Sequence, residues 1–256
     1  MSATTVNLGI GVRGFYYADV NSDNWVRVEN IVEGSLAFTF TDPTETPLNV
    51  EDKADPIALL RTKDTPDRID LSFYNLSAAE IAVLTGGSAT GEKYSSPLTV
   101  QNITKRIRIV TEPYNSYYII YTLENAQLLG KPAGAPTKKQ AEQFNVSCVV
   151  QAAANLSGTS IAPYTREACH EYVPYNLIVD DTANTLAFTI MKTGSVLGDY
   201  EYSSTIGGAG TWVPVTTNPI TGLTGEIAQA ALGIRCEIGI STPQKATAVP
   251  DKGFTA

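Results

Sequence analysis

The stretch Arg68–Gly87, RIDLSFYNLSAAEIAVLTGG, constrains the fold of this chain more than any other. Arg68, Asp70, Ser72 and Tyr74 alternate with Ile69, Leu71 and Phe73, the period-two pattern of a strand with one buried face. Ser77 then stands three residues before Glu80, the spacing of a capping box, in which the serine hydroxyl accepts a free helix N–H and the glutamate reaches back to the cap. Ala78, Ala79, Ile81, Ala82 and Leu84 fill about two turns, and Gly86–Gly87 end them, so a helix is predicted over 77–85. A helix that short is marginal alone and must lie on something larger.

The remainder reads as β. Thirteen tyrosines and abundant Thr, Val, Ile, Gly and Pro in 256 residues favour strands and turns. Strands are predicted near Val26–Val32, Leu36–Thr41, Ile57–Thr62, Arg106–Thr111, Tyr117–Leu123 and Phe144–Ala152, with Asn115–Ser116 as a hairpin turn. Alternation in RIRIVT puts Arg106 and Arg108 on one face. Residues 1–25, with the aromatic run Phe15–Tyr16–Tyr17, read as an arm or edge segment. Between the second and third strands lies a long acidic connection, Asp42–Pro56. It holds Asp42, Glu45, Glu51, Asp52 and Asp55 against Lys53 alone, and connections of this length are functional or disordered more often than not. Lys131–Thr137 reads as a Pro/Gly-rich loop and 153–175 as a linker or crossover. Beyond it, Asn176–Val179, Leu186–Met191, Tyr200–Ser203, Thr211–Val215, Ile220–Leu223 and Gly233–Ile240 are six short strands spaced by turns, the pattern of a small immunoglobulin-like sandwich. The expected division is therefore 1–172, then 173–245, then a loose tail over 246–256.

Charge and cysteine usage exclude several function classes. A formal net charge of −8 and a lack of any basic stripe argue against gripping phosphate backbones. Three widely spaced cysteines make no disulfide framework, and Cys148 and Cys236 lie in apolar runs that predict buried thiols. The start lacks the basic and long apolar regions of a signal peptide, and no run reaches the roughly 20 apolar residues of a membrane span, so a soluble, cytoplasmically made chain is expected.

Motifs that carry chemistry are weak. The single histidine, His170, adjoins Cys169, and neighbours in sequence do not pair as nucleophile and base; nor do they supply a zinc site. GGSATGEK (Gly86–Lys93) has P-loop-like glycines, but its lysine falls one position late and the segment follows a helix instead of preceding one. Asp180, Asp181 and Asn184 lack the distal glutamate and alternation of a calcium loop. Asp199 and Glu201 are a carboxylate pair of a kind any acidic chain yields. Trp212 with Tyr200 and Tyr202 suggests either a sugar-stacking platform or cross-strand or core packing, and Trp25 suggests packing or an interface. No enzyme activity and no cofactor are expected.

Residues 20 to about 155 resemble the major tail tube proteins of long-tailed (siphovirus-like) bacteriophages. The likeness rests on the paired strands VRVENIV and LAFTFTD, the long acidic loop, the strand-then-helix RIDLSFYNLSAAEIAVLTGG and the late strands RIRIVT and YYIIYTL. The later segment resembles the immunoglobulin-like modules often appended to phage tail proteins. The implied fold is mainly β: a tail-tube-type β-sandwich or barrel with one short packed α-helix, followed by a small immunoglobulin-like β-sandwich. The resemblance implies a subunit that self-assembles into stacked, hexameric rings in the virion tail after synthesis in the host cytoplasm. Its partners would be further copies of itself, the tape measure, tail terminator and distal tail proteins, and genomic DNA passing through the lumen without specific binding. The inter-ring contact would fall on the N-terminal arm and on the loop carrying Asp42, Glu45, Glu51, Asp52 and Asp55. A carbohydrate-binding or adhesion β-sandwich is the alternative reading.

Overall fold

The computed structural model describes residues 10–22, 24–48, 58–63, 65–99, 101–134, 137, 141–155, 157–204, 212–223, 225–227, 231–236, 246–248 and 250. The fold is mainly β, with antiparallel sheets and, among the described residues, one α-helix. Two compact units share the chain: 1–27 with 108–122 and 165–256 form one, and 28–107 with 123–164 form the other. The expected split near residue 172 is thus replaced by an interleaved one.

In the unit containing 28–107, strands β3 (Ala37–Thr39), β6 (Arg68–Tyr74), β11 (Gln143–Val150) and the later part of β10 (Tyr117–Gly134) lie side by side. Register fixes the faces: Ile69 pairs with Cys148, Leu71 with Val146 and Phe73 with Phe144, all buried, whereas Arg68, Asp70, Ser72 and Ser147 point outward. The predicted helix is α1 (Ala78–Thr85). Its capping box forms as expected, with the Glu80 N–H donating to Ser77 Oγ at 3.3 Å and the Ser77 N–H donating to Glu80 Oε2 at 2.8 Å. Gly86 closes it in the left-handed region at φ 78°, where a side chain would be strained. The helix end settles on the buried face because Gly130 has no side chain. A Cβ there would come within 2.8 Å of Phe144 Cε1 and 3.0 Å of the Leu84 carbonyl oxygen. Small hairpins complete the unit: β4 (Thr44–Leu48) with β5 (Ala58–Thr62), β7 (Ser88–Thr90) with β8 (Lys93–Ser95), and β12 (Ala153–Ala154) with β13 (Ser160–Ile161).

In the other unit, β2 (Val26–Val28), β1 (Ile10–Ala18), β9 (Ile103–Glu112) and the first part of β10 are neighbours, and β14 (Tyr164–His170) adds to β10. Asn115 and Ser116 both take positive φ and make the predicted two-residue turn, closed by Tyr114 and Tyr117 exchanging backbone bonds at 2.7 and 3.0 Å. Two expectations are corrected here. Residues 10–18 of the expected arm form an inner strand of the sheet with Phe15, Tyr16 and Ala18 buried, and residues 1–9 lie outside the described residues. The expected linker carries β14 as well as β12 and β13.

The same unit holds the C-terminal sandwich. One sheet has the order β15 (Tyr175–Asp180), β16 (Thr185–Thr189), β19 (Ile220–Thr221). The other has the order β18 (Val213–Pro214), β17 (Tyr200–Ser203), β20 (Gly233–Cys236), β21 (Ala246–Ala248), and a single 3₁₀ turn at Leu197–Asp199 precedes β17. The first, second and fifth strands on one side, with the fourth, third, sixth and seventh on the other, make an immunoglobulin-type arrangement in which the fourth strand has joined the second sheet. Its core contains Leu177, Val179, Leu186, Phe188, Tyr200, Ile234 and Cys236. The seventh strand comes from the expected tail, because Ala246–Ala248 pairs with β20.

A second buried cluster in this unit joins Tyr16, Ala18, Trp25, Val110, Tyr118 and Ile120 to Cys169, Tyr175 and Met191. The Tyr16 and Tyr175 hydroxyls share a hydrogen bond at 3.2 Å, Tyr118 Oη donates to the Val173 carbonyl at 2.9 Å, and Arg108 Nη1 donates to Asn176 Oδ1 at 3.0 Å while stacking on Trp25 at 4.2 Å. The sandwich is therefore packed against β1, β9 and β10 and is not a freestanding module.

Candidate assembly surface

The acidic connection singled out in the sequence is in part a β-ribbon. Thr44 pairs with Thr62, Glu45 with Arg61, Thr46 with Leu60, Pro47 with Leu59 and Leu48 with Ala58. Proline at 43 and 47 conceals this strand from a sequence reading, but a two-stranded ribbon has outward-facing nitrogens and tolerates proline there. Every residue of both strands is exposed, including Leu59 at 56% and Leu60 at 52%. Alternation sets Leu59 on one face of the ribbon and Leu60 with Leu48 on the other. An isolated two-stranded ribbon is marginal in water, and this one has apolar side chains on both bare faces.

Of the expected contact residues, Asp42 stands exposed at the root of the ribbon and Glu45 lies on it. Glu45 Oε1 accepts from Arg61 Nε at 2.7 Å, so its charge is partly balanced by a residue beyond the acidic segment. Glu51, Asp52 and Asp55 lie outside the described residues. The root is fastened by Asp67, whose Oδ1 accepts the Thr41 N–H at 3.0 Å and whose Oδ2 accepts from Lys63 Nζ at 2.6 Å. Burial acts to raise the Asp67 pKa, but these two donors outweigh it and hold the carboxyl below its ordinary value.

Sequence reasoning missed the apolar part of this surface. The ring of Phe38 on β3 stacks with that of Phe40 just after the strand at 6.0 Å, and Phe40 meets Tyr164 edge-on at 5.2 Å. Phe40 remains 49% exposed. Among the described residues, strand β3 pairs with β6 alone and ends its sheet. The alternation in LAFTFTD was the signal, because it sets both phenylalanines on one face. The outward face of β6, β11 and β10 forms an open groove of about 570 Å³ lined by Arg68, Asp70, Ser72, Lys131, Asn145 and Ser147. Within it Ser72 Oγ donates to Asn145 Oδ1 at 2.7 Å, and Ser147 Oγ donates to Asp70 Oδ1.

The other flagged residues have structural roles. Trp212 lies under the Arg235 guanidinium at 4.1 Å, and Arg235 donates twice to Glu201, which covers one face of the indole. Gly86–Lys93 is the helix cap followed by a hairpin. Asp180 Oδ1 accepts the N–H groups of Thr182 and Ala183, each at 2.9 Å, as an ordinary turn. Cys148, Cys169 and Cys236 are all buried. Burial, with Glu167 beside it, pushes the Cys169 thiol up to about 12, so it stays protonated at neutral pH. In comparisons with known proteins, no family model and no curated protein matches the chain.

Proposed function

We propose that this chain is a structural subunit of a bacteriophage tail tube, assembling through backbone pairing and apolar contacts between copies into stacked rings that conduct DNA. The observation that carries the reading is the β4–β5 ribbon, exposed on both faces and bearing Leu48, Leu59 and Leu60. A ribbon of that kind gains stability by lying on another subunit, and a head-to-tail contact that never closes generates a filament. Strand β3, which among the described residues is hydrogen-bonded to β6 alone, adds a sheet margin with Phe38 on it and Phe40 just beyond it, both exposed in part. The net charge of −8 suits a channel past which DNA slides without sticking.

Negative-stain electron microscopy and sedimentation of the purified chain test this. Hollow tubes or rings are expected, and the double variant Leu59→Asp/Leu60→Asp is expected to keep the wild-type circular dichroism while losing tubes. Monomers at every concentration and salt overturn the tube reading. Tubes of undiminished length from the double variant overturn the role of the ribbon alone.

A further inference from the structure

The only histidine of the chain sits at a turn between β14 and β15. His170 ends β14, and the Val173 N–H returns to its carbonyl at 2.8 Å. The imidazole is stacked on Tyr172 at 5.3 Å and meets Tyr117 of β10 edge-on at 5.1 Å. Its Nδ1 accepts the backbone N–H of Tyr172 at 3.4 Å, which requires the neutral ring with its proton on Nε2. The same turn is tied to the β9–β10 turn, because the Glu171 N–H donates to the Ser116 carbonyl at 2.8 Å and Tyr118 Oη to the Val173 carbonyl. The charged groups around the ring are Glu171 on its own turn and Lys192 after β16; the phenols Tyr117 and Tyr172 are the other titratable neighbours. Lys192 Nζ donates to Glu171 Oε1 at 2.7 Å and lies 5.3 Å over the Tyr172 ring. Glu171 is thus already engaged by a cation.

We propose that His170 is a proton-operated latch on the β14–β15 turn: when Nδ1 takes a proton it ceases to accept the Tyr172 N–H and sets a second cation beside Lys192, and the turn lets go of the β9–β10 hairpin. Protonation converts an acceptor into a donor facing another donor, so the bond is replaced by a repulsion. Partial burial, with Lys192 adding to it against the opposing pull of Glu171, sets the ring's titration below its ordinary range. The folded turn therefore prefers the neutral ring. Its stability is complete above the ordinary histidine pKa and is lost as pH falls through the lower folded value.

The test uses the full chain labelled with ¹⁵N-histidine, in solution or by magic-angle spinning if it assembles, together with peptide-level hydrogen exchange. One imidazole signal is expected, in the Nε2–H tautomer, with a midpoint below about 6.5. Exchange at Tyr172 and Val173, corrected for its intrinsic pH dependence, should rise about tenfold for each pH unit by which that midpoint is depressed. Lys192→Met should move the midpoint upward, and His170→Phe should abolish the pH dependence of exchange at the turn. A midpoint at or above the ordinary value overturns the latch, as does exchange that is unchanged through the midpoint.

Discussion

At the scale of single residues, Asp67 does the most with the least. It joins the end of β3 to the segment after β5 through Thr41 and Lys63, and so fixes where the exposed ribbon leaves the body of its unit. Because its folded pKa lies below the ordinary value, its contribution is present above about pH 4 and is lost as pH falls through the folded value. Hydrogen exchange at Thr41 should therefore accelerate in acid in the wild type, whereas Asp67→Asn should show fast exchange already at neutral pH and a flattened acid limb. None of this was legible in the sequence, where Asp67 is one acid among many. The arginines show the same gap. Alternation puts Arg106 and Arg108 on one face, but it could not supply their partners. Arg106 Nε donates to Glu124 Oε2 at 2.8 Å on the neighbouring strand, and Arg108 reaches Asn176. Those partners are 18 and 68 residues away, and no local pattern encodes such distances.

At the scale of elements, the sequence was most readable where local chemistry decides the outcome. The Ser77–Glu80 box, the Gly86 stop, the alternating β6 strand and the Asn115–Ser116 turn all depend on neighbours within a few residues, and each forms where expected. It was least readable where tertiary context overrides composition. Pro132 reads as a loop signal, yet β10 runs on through it, with the register shifting between Pro132 and Gly134. Residues 10–18 read as part of an arm or edge segment, yet they lie between β2 and β9, where hydrogen-bonding partners come from distant segments. Gly130 belongs to the same class: in sequence it is a strand-weakening glycine, and in the fold it is the seat of the helix. Gly130→Ala should therefore cost about 1–3 kcal/mol from overpacking, read as a lowered urea midpoint, since the Leu84 carbonyl it would press on is backbone and cannot swing aside.

At the scale of the whole chain, the interleaving of the two units changes what truncation can achieve. Six strands of the C-terminal sandwich were visible as short runs spaced by turns, but its attachment was not. The residues that attach it, Tyr16, Trp25, Arg108 and Tyr118, are scattered through the first half of the sequence. Removing residues 173–256 strips Tyr175, Asn176 and Met191 from a shared core and leaves the apolar faces of β1 and β10 bare. That truncation is expected to lose the cooperative unfolding transition of its unit and to precipitate, instead of yielding a trimmed, stable subunit; calorimetry and solubility of the truncated chain check it.

The hydroxyl of Tyr16 meets that of Tyr175 across 159 residues of chain. A ribosome adding roughly 5–20 residues per second takes about 8–30 s to cover that span. For that interval the nascent N-terminal strand waits with its aromatic side uncovered, while the unit completed at residue 164 has all its segments in hand. Birth order is thereby written into the topology: the part that carries the exposed ribbon can fold first, and the last-made strands close the other unit.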